Sequence, residues 1–140
     1  MKSPREFTRV YAEAVRAADV EGYTQLYDSR VRIFDRWNDW QAKGQNSCRE
    51  QATEWFGSLG SERVLVTFSD VEITEAKDLA ILTAIVRYES HDSDNHVLRF
   101  LDERITVGFE RTDGGEWKVI HQHTSAPTDG STMTSKMTLD

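Results

Sequence analysis

The sequence predicts an α+β fold in which a cone-shaped, curved antiparallel sheet wraps around three N-terminal helices. Three observations predict it. Apolar residues recur at helical spacing through the first 60 residues, then alternate with period two from Val64 to Ser125. The alternation slips by one residue at Ser69–Asp70, the mark of a bulge that bends a sheet. Helices first and strands after, with no βαβ repeat, is the order of an α+β domain.

The first helix is set by Phe7, Val10, Tyr11, Ala14, Val15 and Ala18 on one face. Ser3 and Glu6 form a capping box, with Pro4 at the first helical position. A second helix is expected over 19–27, capped by Asp19, with Val20, Tyr23, Leu26 and Tyr27 on its apolar side. Val31, Ile33 and Phe34 suggest a short strand ending near Asp35, followed by a polar and aromatic loop that carries Trp37 and Trp40 and runs to Gly44. Ser47 and Glu50 form a second capping box ahead of the third helix, whose face is Cys48, Ala52, Trp55, Phe56 and Leu59 and whose end is Gly60.

Strands are expected at 64–68 and 71–73 on either side of the bulge, at 79–88, at Val97–Arg111 and at Trp117–Ser125, with a turn at Asp113-Gly114-Gly115. The stretch 79–88 is apolar on both faces. One face covers the helices, and the other calls for a second subunit, so self-association as a homodimer or larger ring is expected. Residues 1–127 make one domain, and the Ser/Thr-rich 128–140 is expected to be a flexible polar tail.

Composition excludes several classes. The chain has 140 residues, 38% hydrophobic and 29% charged, the balance of one globular domain. Its net charge of −7 argues against nucleic acid and anionic membrane surfaces as partners. Cys48 is the single cysteine, so no internal disulfide forms. The start of the chain has no apolar signal core, and a cytoplasmic location is expected. No phosphate loop, nucleophile elbow or dinucleotide fingerprint occurs, and no cofactor is expected.

The stretch from Ala14 through Asp19-Val20-Glu21-Gly22-Tyr23-Thr24-Gln25-Leu26-Tyr27-Asp28 to Phe34-Asp35 resembles the association (hub) domain of calcium/calmodulin-dependent protein kinase II. The ending from Arg111 to Pro127, with His121-Gln122-His123-Thr124-Ser125, resembles that domain's closing hairpin and the endings of bacterial SnoaL-like proteins. Both belong to the nuclear transport factor 2-like superfamily, which has a cystatin-like roll around a pocket. The resemblance covers residues 4–127 and implies that fold. Of the hub domain's three pocket arginines, one position is held by Arg87, while the other two hold Val107 and Thr124. A comparison with the ketosteroid isomerase branch puts Tyr11 on the hydrogen-bonding tyrosine and Asp35 on the general base. The position of its later acid holds Ile105.

Two residues are therefore candidates for catalysis. Asp35, at a strand end beside Phe34, Trp37 and Trp40, becomes a stronger base if its aromatic neighbours desolvate it. The structural alternative is a capped turn or an ion pair with Arg32 or Arg36. Tyr11 is either a hydrogen-bond donor to a ligand oxygen or a core ring. Arg87, in phase with Leu79, Ile81, Thr83 and Ile85, needs an anionic partner: a ligand carboxylate, Asp35 or Glu103. Glu103 shares a face with Ile105 and Val107 and is either that partner or a second acid. Trp37, Trp40 and Trp55 are candidate walls for a flat apolar ligand, and the resemblance, which puts Thr124 at a pocket arginine's position, implies that Gln122 and Thr124 lie on the cavity face of their strand. His121 and His123 fall on the other face. They read as interface residues rather than metal ligands, and no metal site is expected. The expected partner is a small organic molecule, bound or turned over by acid/base chemistry. The alternative is a non-catalytic oligomerisation module.

Overall fold

The computed structural model describes residues 1–139. A single 3-10 turn at Pro4–Glu6 leads into helix α1, Phe7–Arg16. Ser3 caps that turn by accepting a hydrogen bond from the Arg5 amide. Helix α2 is one short turn, Val20–Thr24, capped as expected by Asp19, whose Oδ1 accepts from the Gly22 amide at 2.9 Å. It is shorter than the expected 19–27 because the chain turns extended at Tyr27, where strand β1, Tyr27–Phe34, begins.

After β1 come the two-residue strand β2, Ala42–Lys43, and helix α3, Gln45–Gly57. The expected Ser47–Glu50 box is corrected here. Gly44, at φ 87°, occupies the N-cap, and the Ser47 hydroxyl donates back to the Lys43 carbonyl. A positive φ suits glycine, so backbone geometry set the cap of α3 three residues ahead of the side-chain signal.

The four long strands are β3 (Arg63–Glu75), β4 (Leu79–His91), β5 (Val97–Arg111) and β6 (Trp117–Ser125). The sheet runs in the order β2-β1-β6-β5-β4-β3. All pairings are antiparallel except β1 with β6, which is parallel and makes the sheet mixed at that edge. The bulge sits where the phase slip placed it: the β3–β4 register shifts between Ser69 and Glu72, and Asp70 adopts φ 51°.

The inner face carries Ala80, Leu82, Ala84 and Val86 of β4 and Ile105, Val107 and Phe109 of β5, all buried. Helix α1 packs on the inner side of β3, and Phe7 is the ring that joins them. Its centroid lies 5.5 Å from Phe109 and 6.1 Å from Phe68, both edge-on, and 5.3 Å from Tyr11. Edge-to-face rings add to the burial energy.

The segment after Pro127, expected as a flexible tail, carries a small hairpin, β7 (Thr128–Asp129) with β8 (Thr134–Ser135). Beyond it the chain lies along β5. The Asp102 amide donates to the Met137 carbonyl at 2.9 Å, and the Leu139 amide donates to Asp102 Oδ2 at 2.6 Å. Strand β6 ends opposite Arg104, which leaves the next stretch of β5 without a neighbour for this segment to meet. Polar composition signals the lack of a core but says nothing about backbone groups seeking a sheet edge. Asp140 lies outside the described residues.

Replacing Phe7 with alanine removes the ring between helix and sheet. Urea unfolding should show a loss of about 3–5 kcal/mol.

Candidate functional site

The helices cover only part of the concave sheet face. A cavity of about 890 Å³ remains between α1, α3, the β1–β2 loop, and the inner faces of β4, β5 and β6. Met137 closes one side.

Two carboxylates face this space from different environments. Asp35 follows the last residue of β1 and is exposed to solvent through the opening. Its Oδ1 accepts from the Thr124 hydroxyl at 2.9 Å, and Thr124 Oγ1 in turn accepts from the Arg36 amide. Glu103, on the inner face of β5, is only 5% exposed. The Trp37 indole N–H donates to its Oε1 at 3.2 Å, and the Arg36 guanidinium lies 3.9 Å away. Burial and the negative charge of Asp35 push the Glu103 carboxyl up to about 7, with Arg36 and Trp37 pulling the other way. The sequence reading expected Asp35 to be the desolvated acid. The structure gives that environment to Glu103, because the loop folds Trp37 and Arg36 over β5 and leaves Asp35 at the mouth.

Two phenols stand beside the acids. Tyr11 and Tyr88 share a hydrogen bond of 2.9 Å between their hydroxyls. Burial raises both well above the ordinary tyrosine range, and Tyr23 nearby is raised to about 12. All three stay protonated at neutral pH and act as hydrogen-bond groups rather than bases. Gln122 is held by the Tyr27 hydroxyl, which donates to its Oε1 at 2.8 Å. Trp55 packs 6.0 Å from Tyr88 and 6.4 Å from Tyr23, and Trp37 lies under Arg36, whose guanidinium carbon is 4.7 Å from the ring centre.

The structure thus brings Tyr11, Asp35, Trp37, Trp55, Glu103, Gln122 and Thr124 to one cavity. Two expected residues fall elsewhere. Trp40 is 97% exposed, on the outside of its loop. Arg87 lies on the outer face of the sheet, with its Nε and Nη2 donating to Asp102 at 2.8 and 3.0 Å and its guanidinium over Phe100. Its partner is neither Asp35 nor Glu103. Strand β4 is apolar on both sides, so alternation fixed which residues share a face but not which face turns inward. The residues that turned inward are Leu82, Ala84, Val86 and, in the same phase, Tyr88, which the sequence reading left out.

His121 and His123 lie on the outer face around Phe34, with centroids 5.0 and 5.4 Å from its ring. His121 Nδ1 donates to the Arg32 carbonyl at 2.7 Å. Among the described residues, Asp92, Asp94 and His96 form the one group with ligand atoms close enough together for a metal, on an exposed turn away from the cavity.

A family model, the SnoaL-like domain, matches residues 5–129. The chain belongs to the SnoaL-like family. A nuclear transport factor 2-like protein of unknown function from Pseudomonas putida superposes with a TM-score of 0.83 at 27% identity, over 97% of this chain and 92% of that one. A protein from Xanthomonas campestris assigned as a calcium/calmodulin-dependent protein kinase II association domain gives 0.74 at 13% identity, over 89% and 86%. A cystatin-like protein of unknown function from Nostoc punctiforme gives 0.68 at 16%, over 86% and 85%. No curated protein matches the chain. The superfamily and fold expected from the two quoted stretches hold. The hub-type anion pocket does not carry over, since its single matching arginine, Arg87, faces away from the cavity. No helix among the described residues is long and apolar enough to cross a membrane.

The unfolded chain gives up the Glu103 proton near 4.5, while the folded chain keeps it to about 7. Stability should therefore fall as pH rises from 4.5 to 7 and level off above that, by roughly 3 kcal/mol in all at about 1.4 kcal/mol per pH unit. Glu103→Gln keeps the oxygen facing Trp37 and removes the titration. Urea unfolding at pH 5 and pH 8 should find the variant more stable than the wild type at pH 8 only.

Proposed function

We propose that this SnoaL-like protein binds a small organic molecule in its cone and moves a proton on it with its own side chains. The observation that carries the reading is the pair of carboxylates with unlike environments at one cavity. Asp35 is open and held by Thr124, while Glu103 is buried and keeps its proton to near neutrality. Environments that separate two acids in this way allow a base and an acid to work at one pH. Asp35 takes a proton from carbon or oxygen of the ligand, and Glu103 donates a hydrogen bond or a proton to the oxygen that gains charge. Tyr11 and Tyr88, both protonated, orient that oxygen. Isomerisation, cyclisation and dehydration each begin with such a transfer.

A second copy of the chain belongs to the same reading. Leu79 is 53% and Ile81 48% exposed on the outer face of β4. Opposite Ile81, Gly108 offers no side chain to cover it, and His121 and Arg32 continue the row across β6 and β1. The apolar part of this row, Leu79 and Ile81, gains about 25 cal/mol for each Å² removed from water. We propose that a second copy covers it and forms a homodimer.

Proton transfer is measurable without knowing the natural reaction. A panel of aromatic ketones in D2O, followed by NMR, should show enzyme-dependent exchange of the hydrogens next to the carbonyl. Asp35→Asn should lower that rate by about 10²–10⁴-fold. Exchange at equal rates in wild type and variant would remove Asp35 from the reaction.

The dimer is tested by light scattering at micromolar concentration. The wild type should give twice the chain mass and Ile81→Asp the mass of one chain. A monomeric wild type rejects the interface.

A further inference from the structure

The sign of charge around the cavity limits its ligand. Four carboxylates line it, Asp35, Asp39, Glu54 and Glu103, against one guanidinium, Arg99. Arg99 is already engaged at 2.7 Å by Glu62 and is mostly in solvent. Arg36, behind Glu103, is only 5% exposed, and its donors are committed to the Asp102 carbonyl, the Ser135 hydroxyl and the Lys136 carbonyl. Arg87 is bound to Asp102 on the other side of the sheet. An anionic ligand would therefore enter a field of its own sign and meet no guanidinium ready to receive it.

A cation meets the opposite situation. Asp35 and Glu103 lie on the cavity, each with one oxygen engaged by a neutral donor, Thr124 or Trp37. The remaining walls include the rings of Trp37, Trp55, Tyr23 and Tyr88. Aromatic faces attract cations, most strongly where water is excluded, and they also cover the flat part of an organic ligand.

We propose that the ligand of this cavity is an aromatic organic cation, a ring system bearing a protonated amine placed between Asp35 and Glu103. The proposal rests on the reading above that the cavity is the ligand site, and it adds the chemical class of the ligand. The groups facing Glu103 are Asp35 from the end of β1, Arg36 and Trp37 from the loop, and Tyr88 from β4. Tyr88 keeps its proton throughout the neutral range, while the Glu103 carboxyl, pushed up to about 7 by burial, ionises between pH 6 and 8. A bound ammonium favours that ionisation, so cation affinity rises with pH over this interval, and in that complex the donor role given to Glu103 above passes to the protonated Tyr11 and Tyr88.

Three probes of one shape and different charge test this: tryptamine, tryptophol and indoleacetate, titrated by calorimetry into the full chain at low salt and pH 8. Tryptamine should bind at least about tenfold more tightly than tryptophol, and indoleacetate more weakly than either. The tryptamine preference should shrink at pH 6, at high salt and in Glu103→Gln. It should also shrink in Asp39→Asn, which removes a charge from an exposed loop position without touching the core. Equal binding of tryptamine and tryptophol, or tighter binding of indoleacetate, would overturn the charge assignment and leave the cavity as a ligand site. No binding of any of the three would overturn both readings.

Discussion

Asp102 and Glu103 are neighbours in the chain, and in a strand neighbours must point to opposite faces. That single constraint sorts the whole molecule. Asp102 turns outward, where Arg87 and the Leu139 amide hold it, and Glu103 turns inward, where Trp37 covers it. A slip of β5 by one residue would exchange the two acids, carry Ile105 and Val107 out into water and break the arginine pair. The apolar residues on either side of Glu103 in its phase fix the register. The acid is thus carried into the cavity by the packing energy of its neighbours rather than by any attraction of its own.

Glu103 is then a site where local preference and fold disagree. Burial disfavours its charged form, and Asp35 adds repulsion. The fold tolerates this because the Arg36 guanidinium lies close by and the Trp37 N–H donates to the carboxyl, both of which favour its charged form. A carboxyl kept in such a position is a common feature of active sites, where stability is given up for reactivity. Leucine or methionine there would suit the core better.

Much of the fold was legible because it rests on periodicity. The face of α1, the strands Val97–Arg111 and Trp117–Ser125, and the bulge after Ser69 all follow from spacing alone. The parallel pairing of β1 with β6 and the glycine cap of α3 depend on which backbones meet, and a linear pattern does not carry that. The site was legible on β5, where Glu103 shares its phase with Ile105 and Val107; on β6 the apolar Trp117 and Val119 stand in the phase of His121 and His123, and a register shift opposite Gly108 and Phe109 turns Gln122 and Thr124 inward, so only the resemblance placed them. It was illegible on β4, where both faces are apolar: Arg87 was assigned to the cavity and Tyr88 passed over for the same reason. Asp102, directly across the ladder from Arg87, was the better signal, because opposite charges at paired positions stabilise one another.

The bulge in β3 also changes what the free edge of the sheet can do. Strand β3 is the last in the sheet order, with thirteen residues and one flank lacking a neighbouring strand. Long flat edges recruit further strands and seed aggregates. Here Asp70, at φ 51°, breaks the line of backbone donors and acceptors, and Glu72 and Glu75 follow with exposed charges. Side-by-side extension into a continuous sheet is blocked halfway along the strand. The curvature that opens the cone thereby also guards the edge of the sheet against fibre-like growth.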